Sequence, residues 1–243
     1  MNTIKAILTG HTRGLGAALV DLMLSRGIAV LGVSRTNSNT STSPLLQEVE
    51  LDLANSAALG AWLGTETLVR FVDGAHTVLL INNAGMLQPV GPIEGQDVNA
   101  IGRAVSLNVA APLMLSAAVA AASPAASDRR IVHISSGAAR NAYPGWSIYC
   151  ATKAALDHHA RAVALDNNRA LKVCSVAPGV IDTDMQAEIR GTGLEHFPLR
   201  EKFDELKRSG QLSTPADAAR KVLDYALSDS FGDTPVVDVR DLS

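Results

Sequence analysis

The chain has 243 residues, of which 47% are hydrophobic and 19% charged, enough for one domain with a full apolar core. A formal net charge of -3 leaves no basic footprint for nucleic acid and no polybasic face for an anionic membrane. No basic, apolar and cleavable leader opens the chain, and no uninterrupted apolar run reaches the roughly 18 residues of a membrane span. Cys150 and Cys174 make no disulfide framework, so the expected home is a reducing cytoplasm.

Residues 4–8 predict a first strand and 17–25 a helix ending near Gly27. Strands are expected at 29–33, 48–51 and 77–81, and the polar run 36–43 reads as a mobile surface loop. Residues 99–122 predict a long helix bent at Pro112. The charged pair Arg129-Arg130 reads as solvated surface before a fifth strand at 131–134. A second long helix covers 147–166, and a sixth strand, 173–177, stops at Pro178-Gly179. The polar segment 182–212 is too long for an idle loop, and its place after the sixth strand predicts a lid. Thr214-Pro215 opens a last helix, and 235–239 reads as an edge strand. Apolar strands alternating with helices imply an α/β fold of right-handed crossovers, with a parallel sheet covered on both faces.

The first strand runs into T-G-H-T-R-G-L-G, which sets Gly10, Thr12, Arg13, Gly14, Leu15 and Gly16 between strand and helix. Glycines there let the backbone turn tightly and approach a pyrophosphate at the helix N-terminus. The spacing is not G-x-G-x-x-G, and a glycine turn alone could be purely structural. The second strand bears on the dinucleotide. A site for NAD places an acidic side chain there for the ribose 2′-hydroxyl. Here the strand ends at Ser34 and Arg35, with no Asp or Glu from Leu22 through Gln47. Arg35 and Arg13 either face solvent or clasp a 2′-phosphate, so NADPH is favoured over NADH. In Leu51-Asp52-Leu53, Asp52 either accepts from an adenine amino group or caps a helix. Asn83, Ala84 and Gly85 follow the fourth strand, as a cofactor-facing turn or an ordinary Asn-rich one.

The chemistry sits in Ser136 to Lys153. Tyr149 and Lys153, four apart, share one helix face, and Ser136 lies thirteen residues upstream, just past the fifth strand. Phenol, ammonium and hydroxyl then converge on a carbonyl oxygen. A phenol titrates near pKa 10, and Lys153 is expected to lower it toward neutrality. Ser136 would stabilise developing alkoxide charge. With the glycine loop, this set reads as a nicotinamide-dependent carbonyl reductase. Tyr143 is the weaker acid, with no Lys one turn later. Trp146, Met185, Leu87 and Phe197 line the substrate pocket or are ordinary packing. His158 and His159 are adjacent and point apart, no Cys/His spacing suits a metal, and Cys150 reads as a buried thiol.

The ordered motifs T-G-H-T-R-G-L-G, L-D-L, N-N-A-G, S-L-N-V, I-S-S-G, Y-C-A-T-K and P-G-V-I-D-T resemble the short-chain dehydrogenase/reductase family from Thr9 to about Thr183. A finer likeness, to its sepiapterin reductase and benzil reductase branch, rests on S-G-A-A-R-N-A-Y-P-G-W-S-I-Y-C-A-T-K, P-G-V-I-D-T-D-M-Q and V-V-D-V-R-D-L. The resemblance implies a single-domain Rossmann-type, doubly wound sheet and NADPH-dependent reduction of a diketone or a dicarbonyl pterin side chain. It implies Tyr149 as general acid, Lys153 on the nicotinamide ribose, and Ser136 rather than Ser135 on the carbonyl. Asn108 would hold a water leading from Lys153 to solvent, or else be a core amide bonded to backbone. Pro178, Gly179 and Val180 would line the nicotinamide pocket, and Thr183 would bond the carboxamide or the pyrophosphate. Asp238 matches the Asp that anchors pterin in some members, matches equally in diketone reducers, or caps the last strand. The helices of Asn108 and Tyr149 commonly form a dimer interface in this family, so a homodimer or homotetramer is expected. Two other readings stand beside the reductase: an alcohol dehydrogenase working oxidatively, and an NADP(H)-binding regulatory protein without turnover.

Overall fold

A computed structural model describes residues 3–38, 43–166 and 168–242. Seven strands form one sheet: β1 (Ile4–Thr9), β2 (Ala29–Ser34), β3 (Leu46–Glu50), β4 (Thr77–Asn82), β5 (Asp128–Ile134), β6 (Leu171–Ala177) and β7 (Val236–Asp238). Their order is β3-β2-β1-β4-β5-β6-β7, and every neighbouring pair is parallel. The chain winds outward from β1 to β3, then returns to start again at β4. The C-terminal ends of β1 and β4 therefore flank the point where winding reverses, which is where α/β sheets bind ligands.

Burial on both faces explains why the strands read as continuous apolar runs. Along β1 the side chains alternate between two cores. Ala6 and Leu8 join Leu19, Met23, Val222 and Phe231 on one face. Ile7 joins Leu31, Leu80, Leu115 and Val119 on the other. Helices α1 (Gly14–Ser25) and α9 (Pro215–Leu227) cover the first face. The Thr214 hydroxyl caps α9 by accepting from the Asp217 N–H at 3.1 Å, as its sequence predicts.

The second face carries α2 (Ser56–Leu63) and α3 (Thr67–Val72), two short helices absent from the sequence reading. It also carries α4 (Val98–Val105), α5 (Ala111–Ala122) and α6 (Ser147–Ala164). A π-helical turn, residues 106–110, joins α4 to α5. Pro112 has no N–H to close a regular turn behind it, so the strain predicted as a bend becomes a widened turn just upstream. The resulting 25-residue helix, Val98–Ala122, is long and apolar enough on average to cross a membrane, although Asn99, Arg103 and Asn108 interrupt its apolar run as the sequence reading has it. Here one face packs into the core through Ala111, Leu115 and Val119.

One further expectation is corrected. Arg129 and Arg130 are not solvated surface. Arg129 donates to the carbonyls of Ala120 and Ala170, and Arg130 pairs with Asp128 while donating to the carbonyls of Ala226 and Ser228. The polar segment 182–212 holds two helices: α7 (Asp184–Gly191) and α8 (Arg200–Arg208) fold back through Ile189 and Phe203 onto Leu87, Trp146, Tyr149 and Phe197. The expected loop 36–43 includes 39–42, which lie outside the described residues.

Candidate active site

The glycine loop is built for close approach. Gly10 and Gly14 have φ of +66° and +54°, conformations that L side chains rarely adopt. A Cβ on Gly16 would overlap the Gly10 carbonyl oxygen and stand 2.8 Å from Asn83 Nδ2. Asn83 latches the loop: its amide donates to the carbonyls of Thr9 and Gly10, both at 3.0 Å. The Thr9 hydroxyl accepts from the N–H groups of Asn83 and Ala84, both at 2.9 Å. The turns after β1 and β4 thus form one unit around the switch point. The first turn of α1 has no side-chain cap and no acidic residue, leaving its N–H groups for an anion. This cradle of small residues fits a dinucleotide pyrophosphate.

Leu15 is buried in the core, Thr12 is half-buried, and Arg13 is exposed, 3.4 Å from the Asp184 carboxylate. Ser34 is buried and donates to the Thr36 carbonyl, whereas Arg35 is exposed at the β2 tip. A carboxylate does stand near that tip. Glu48, on β3, pairs with the buried His11 ring at 2.6 Å and accepts from the Ser38 N–H. Burial would raise its pKa, yet the bonds from Ser38 and His11 hold it below the ordinary value. The sequence reading missed this pair. Its visible trace was Gly32, whose Cβ would stand 2.7 Å from the His11 ring. Asp52 is engaged locally, accepting from the Ala54 N–H at 3.0 Å and facing Arg103 at 3.3 Å, while Leu53 is buried.

Ser136 and Lys153 both stand beside Tyr149. Ser136 ends the β5 connection and caps a short 3-10 turn, Gly137–Ala139, accepting from the Ala138 N–H at 3.1 Å. Its hydroxyl stands near enough to the Tyr149 phenol to oppose the rise in that group's pKa. Lys153 Nζ donates to the Ile134 carbonyl at 2.7 Å and lies 5.7 Å from the Tyr149 ring centre. Burial pushes Tyr149 up to about 12, opposed by the Ser136 hydroxyl, and brings Lys153 down to about 8. The expected lowering of Tyr149 is therefore reversed, because desolvation of the phenolate outweighs that hydroxyl.

Asn108 sits in the π turn. It accepts from the Met86 N–H at 2.9 Å and donates to the Met86 carbonyl at 2.8 Å and the Thr152 hydroxyl at 3.2 Å. Gly85 lies between it and the lysine: a Cβ there would stand 3.4 Å from Asn108 Oδ1 and 3.6 Å from Lys153 Nζ. Across the loop, Thr183 faces Gly14, whose Cβ would meet its Cγ2 at 3.3 Å. Pro178 is buried, and Gly179 (φ +80°) and Val180 are half-buried after β6.

Trp146 stacks on Phe197 with ring centres 4.6 Å apart and meets Tyr149 edge-on at 5.6 Å. Trp146, Phe197 and Leu87 are buried and Met185 is partly buried against them, so this cluster packs over Tyr149. A cavity of ≈ 520 Å³ opens between Gln88-Val90 and Thr192-His196, and neither Ser136 nor Tyr149 lines it. Asp238, buried at the end of β7, takes bonds from Arg240 Nε at 2.9 Å, Arg240 Nη2 at 2.6 Å and the Arg240 N–H at 3.0 Å. Burial would raise its pKa, but those bonds hold it low. Cys150 is half-buried rather than buried; the buried thiol is Cys174. His159 does not stand alone: it bonds the fully buried His133 at 3.0 Å, across α6 and β5. Among the described residues no cluster of His, Cys, Asp and Glu could hold a metal ion.

The chain's likeness to known proteins agrees with this geometry. A family model described as short chain dehydrogenase matches residues 5–193. A benzil reductase ((S)-benzoin forming) of Bacillus subtilis (strain 168) is 36% identical over 86% of this chain and 87% of its own. Sepiapterin reductase of Bos taurus is 31% identical over 97% and 94%. A crystal structure of a short-chain dehydrogenase/reductase from Burkholderia vietnamiensis is 52% identical, with a TM-score of 0.72 over 100% of this chain and 99% of that one.

Proposed function

The chain belongs to the short chain dehydrogenase family, and on that premise we propose that it is an NADPH-dependent reductase of a small carbonyl compound. The substrate is of the diketone or dicarbonyl pterin side-chain type. One observation carries the reading: Ser136, Tyr149 and Lys153 meet beside the glycine cradle at the switch point of the sheet.

When bound, the reduced nicotinamide supplies the hydride. Tyr149 donates the proton to the carbonyl oxygen, and burial near pKa 12 keeps it protonated across the neutral range. That state suits reduction and opposes the oxidative direction, which needs a phenolate. Ser136 hydrogen-bonds the same oxygen and stabilises its negative charge. Lys153, at about 8, is mainly an ammonium at neutral pH and assists release of the Tyr149 proton. Asn108 fixes Met86 and Thr152, and so the wall beside Lys153. Exposed Arg35 and Arg13, with Glu48 engaged by His11 and Ser38, favour the 2′-phosphate of NADPH. Benzil reductase and sepiapterin reductase relatives support a vicinal dicarbonyl substrate.

The chain acts as one domain, with 182–212 as its substrate lid. Helix Val98–Ala122 leaves Val98 and Val105 exposed, which supports a homodimer or homotetramer through that face. Its two free thiols support a cytoplasmic home.

The test follows loss of reduced-nicotinamide absorbance with benzil and with sepiapterin, NADPH against NADH. Turnover with NADPH is expected, and Tyr149→Phe should abolish it while leaving NADPH affinity within about threefold, since the phenol hydroxyl contributes to the proton step. Binding of NADPH without turnover on any dicarbonyl would refute the reductase reading in favour of a cofactor-sensing protein.

A further inference from the structure

Ser135 and Ser136 leave β5 side by side and reach two different residues of α6. Ser136 turns toward Tyr149, whereas the Ser135 hydroxyl donates to Asp157 Oδ1 at 2.6 Å. Ser175, on β6, donates to the same oxygen at 2.7 Å. Asp157 lies one helical turn beyond Lys153 and two beyond Tyr149, and it is 1% exposed. The three form a single stripe of α6 turned inward. The second Asp157 oxygen stands 3.3 Å from Arg140 Nε. Arg140 closes the 3-10 turn that Ser136 opens. One carboxylate thus touches β5, β6 and the Ser136 turn from the helix that carries Tyr149 and Lys153.

Burying a carboxylate is costly unless it is bonded and paired. Two serine hydroxyls would be satisfied equally by a neutral amide, so what the carboxylate adds is its charge. We propose that Asp157 is a positioning residue of the site: it ties the Ser136 end of β5 to α6 and sets a fixed negative charge behind Lys153 that preserves the ammonium. This rests on the reductase reading for its purpose but not for its measurement.

The surrounding charges support it. Burial lowers Lys153 to about 8, and Asp157 opposes that fall. His133, facing from β5, is held neutral by burial with a pKa of about 3. Cys174, from β6, is pushed up to about 11 and is a neutral thiol. Tyr149, on α6 itself, is a neutral phenol at about 12. Arg140 comes from the turn and tempers Asp157; its field also reaches Asp238.

The test titrates Lys153 directly, by the NMR shift of isotope-labelled lysine ε-carbons, its signal assigned by loss in Lys153→Met. Asp157→Asn should lower the Lys153 midpoint by about one pH unit, since an unscreened neighbouring charge acts at that scale. Arg140→Ala should raise it, because Asp157 then acts untempered, and Ser175→Ala should leave it in place. A midpoint in Asp157→Asn that stays at the wild-type value overturns the proposal. If that variant does not fold, absence of an upward shift in Arg140→Ala overturns it instead. No substrate enters the measurement, so a protein inactive on every carbonyl would sink the reductase reading and leave this result standing.

Discussion

Gly16→Ala tests the cradle most directly. The added Cβ overlaps the Gly10 carbonyl oxygen and stands 2.9 Å from the Gly10 carbonyl carbon and 2.8 Å from Asn83 Nδ2. Carbon contacts settle at about 3.5 Å or more, so the loop must retreat by more than half an ångström. Retreat breaks the Asn83 bonds to Thr9 and Gly10 and shifts the turns after β1 and β4 together. Overpacking of this kind costs about 1–3 kcal/mol. Because the strain falls on the surface that meets the pyrophosphate, NADPH affinity should drop by about 100-fold, or roughly 2.7 kcal/mol. Gly27→Ala is the control. Its φ is +70°, with nothing within 4 Å of a Cβ, so it should cost about 1–2 kcal/mol of stability without touching the cofactor. Fluorescence titration with NADPH and thermal melts separate the two effects. A Gly16→Ala protein binding NADPH as tightly as Gly27→Ala would refute the cradle argument.

Arg13→Ala with Arg35→Ala should weaken NADPH about tenfold or more while leaving NADH nearly unchanged, the scale of one lost charge-assisted phosphate contact; equal losses would sink the 2′-phosphate assignment. Gly145 has φ +78°, and a Cβ there would overlap the His196 carbonyl oxygen, so Gly145→Ala should undock the 193–197 segment and raise KM more than it lowers kcat. An unchanged KM in steady-state kinetics would show that this segment does not close the substrate site. His133 sets an acid limit. Its folded pKa, about 3, lies below the unfolded 6.5, so only the unfolded state takes the proton between those values, and stability falls as pH drops through 6.5. Between pH 7 and 5 this amounts to about 2 kcal/mol, and His133→Gln should flatten that part of the denaturation profile. A variant profile parallel to wild type would exclude His133 as the cause.

Local sequence determined the parts whose physics is local. Alternating apolar strands and helices dictate a parallel sheet, because both faces must be buried, and the switch point follows from where winding reverses. Gly10, Gly14 and Gly16 are legible because no other residue tolerates those backbone angles and contacts. Tyr149 and Lys153 are legible because four residues make one helical turn. The tertiary structure decided what depends on distant partners. Polar sequence hid α7 and α8, whose few apolar residues, Met185, Ile189, Phe203 and Leu206, find their burial in the cluster around Trp146 and Phe197. The His11–Glu48 pair joins residues 37 apart in the chain, and Asp157 gathers Ser135, Ser175 and Arg140 from three separate elements. The direction of the Tyr149 shift also belongs here: Lys153 on the same helix face suggests a lowered pKa, but the depth of burial, which only packing sets, raises it.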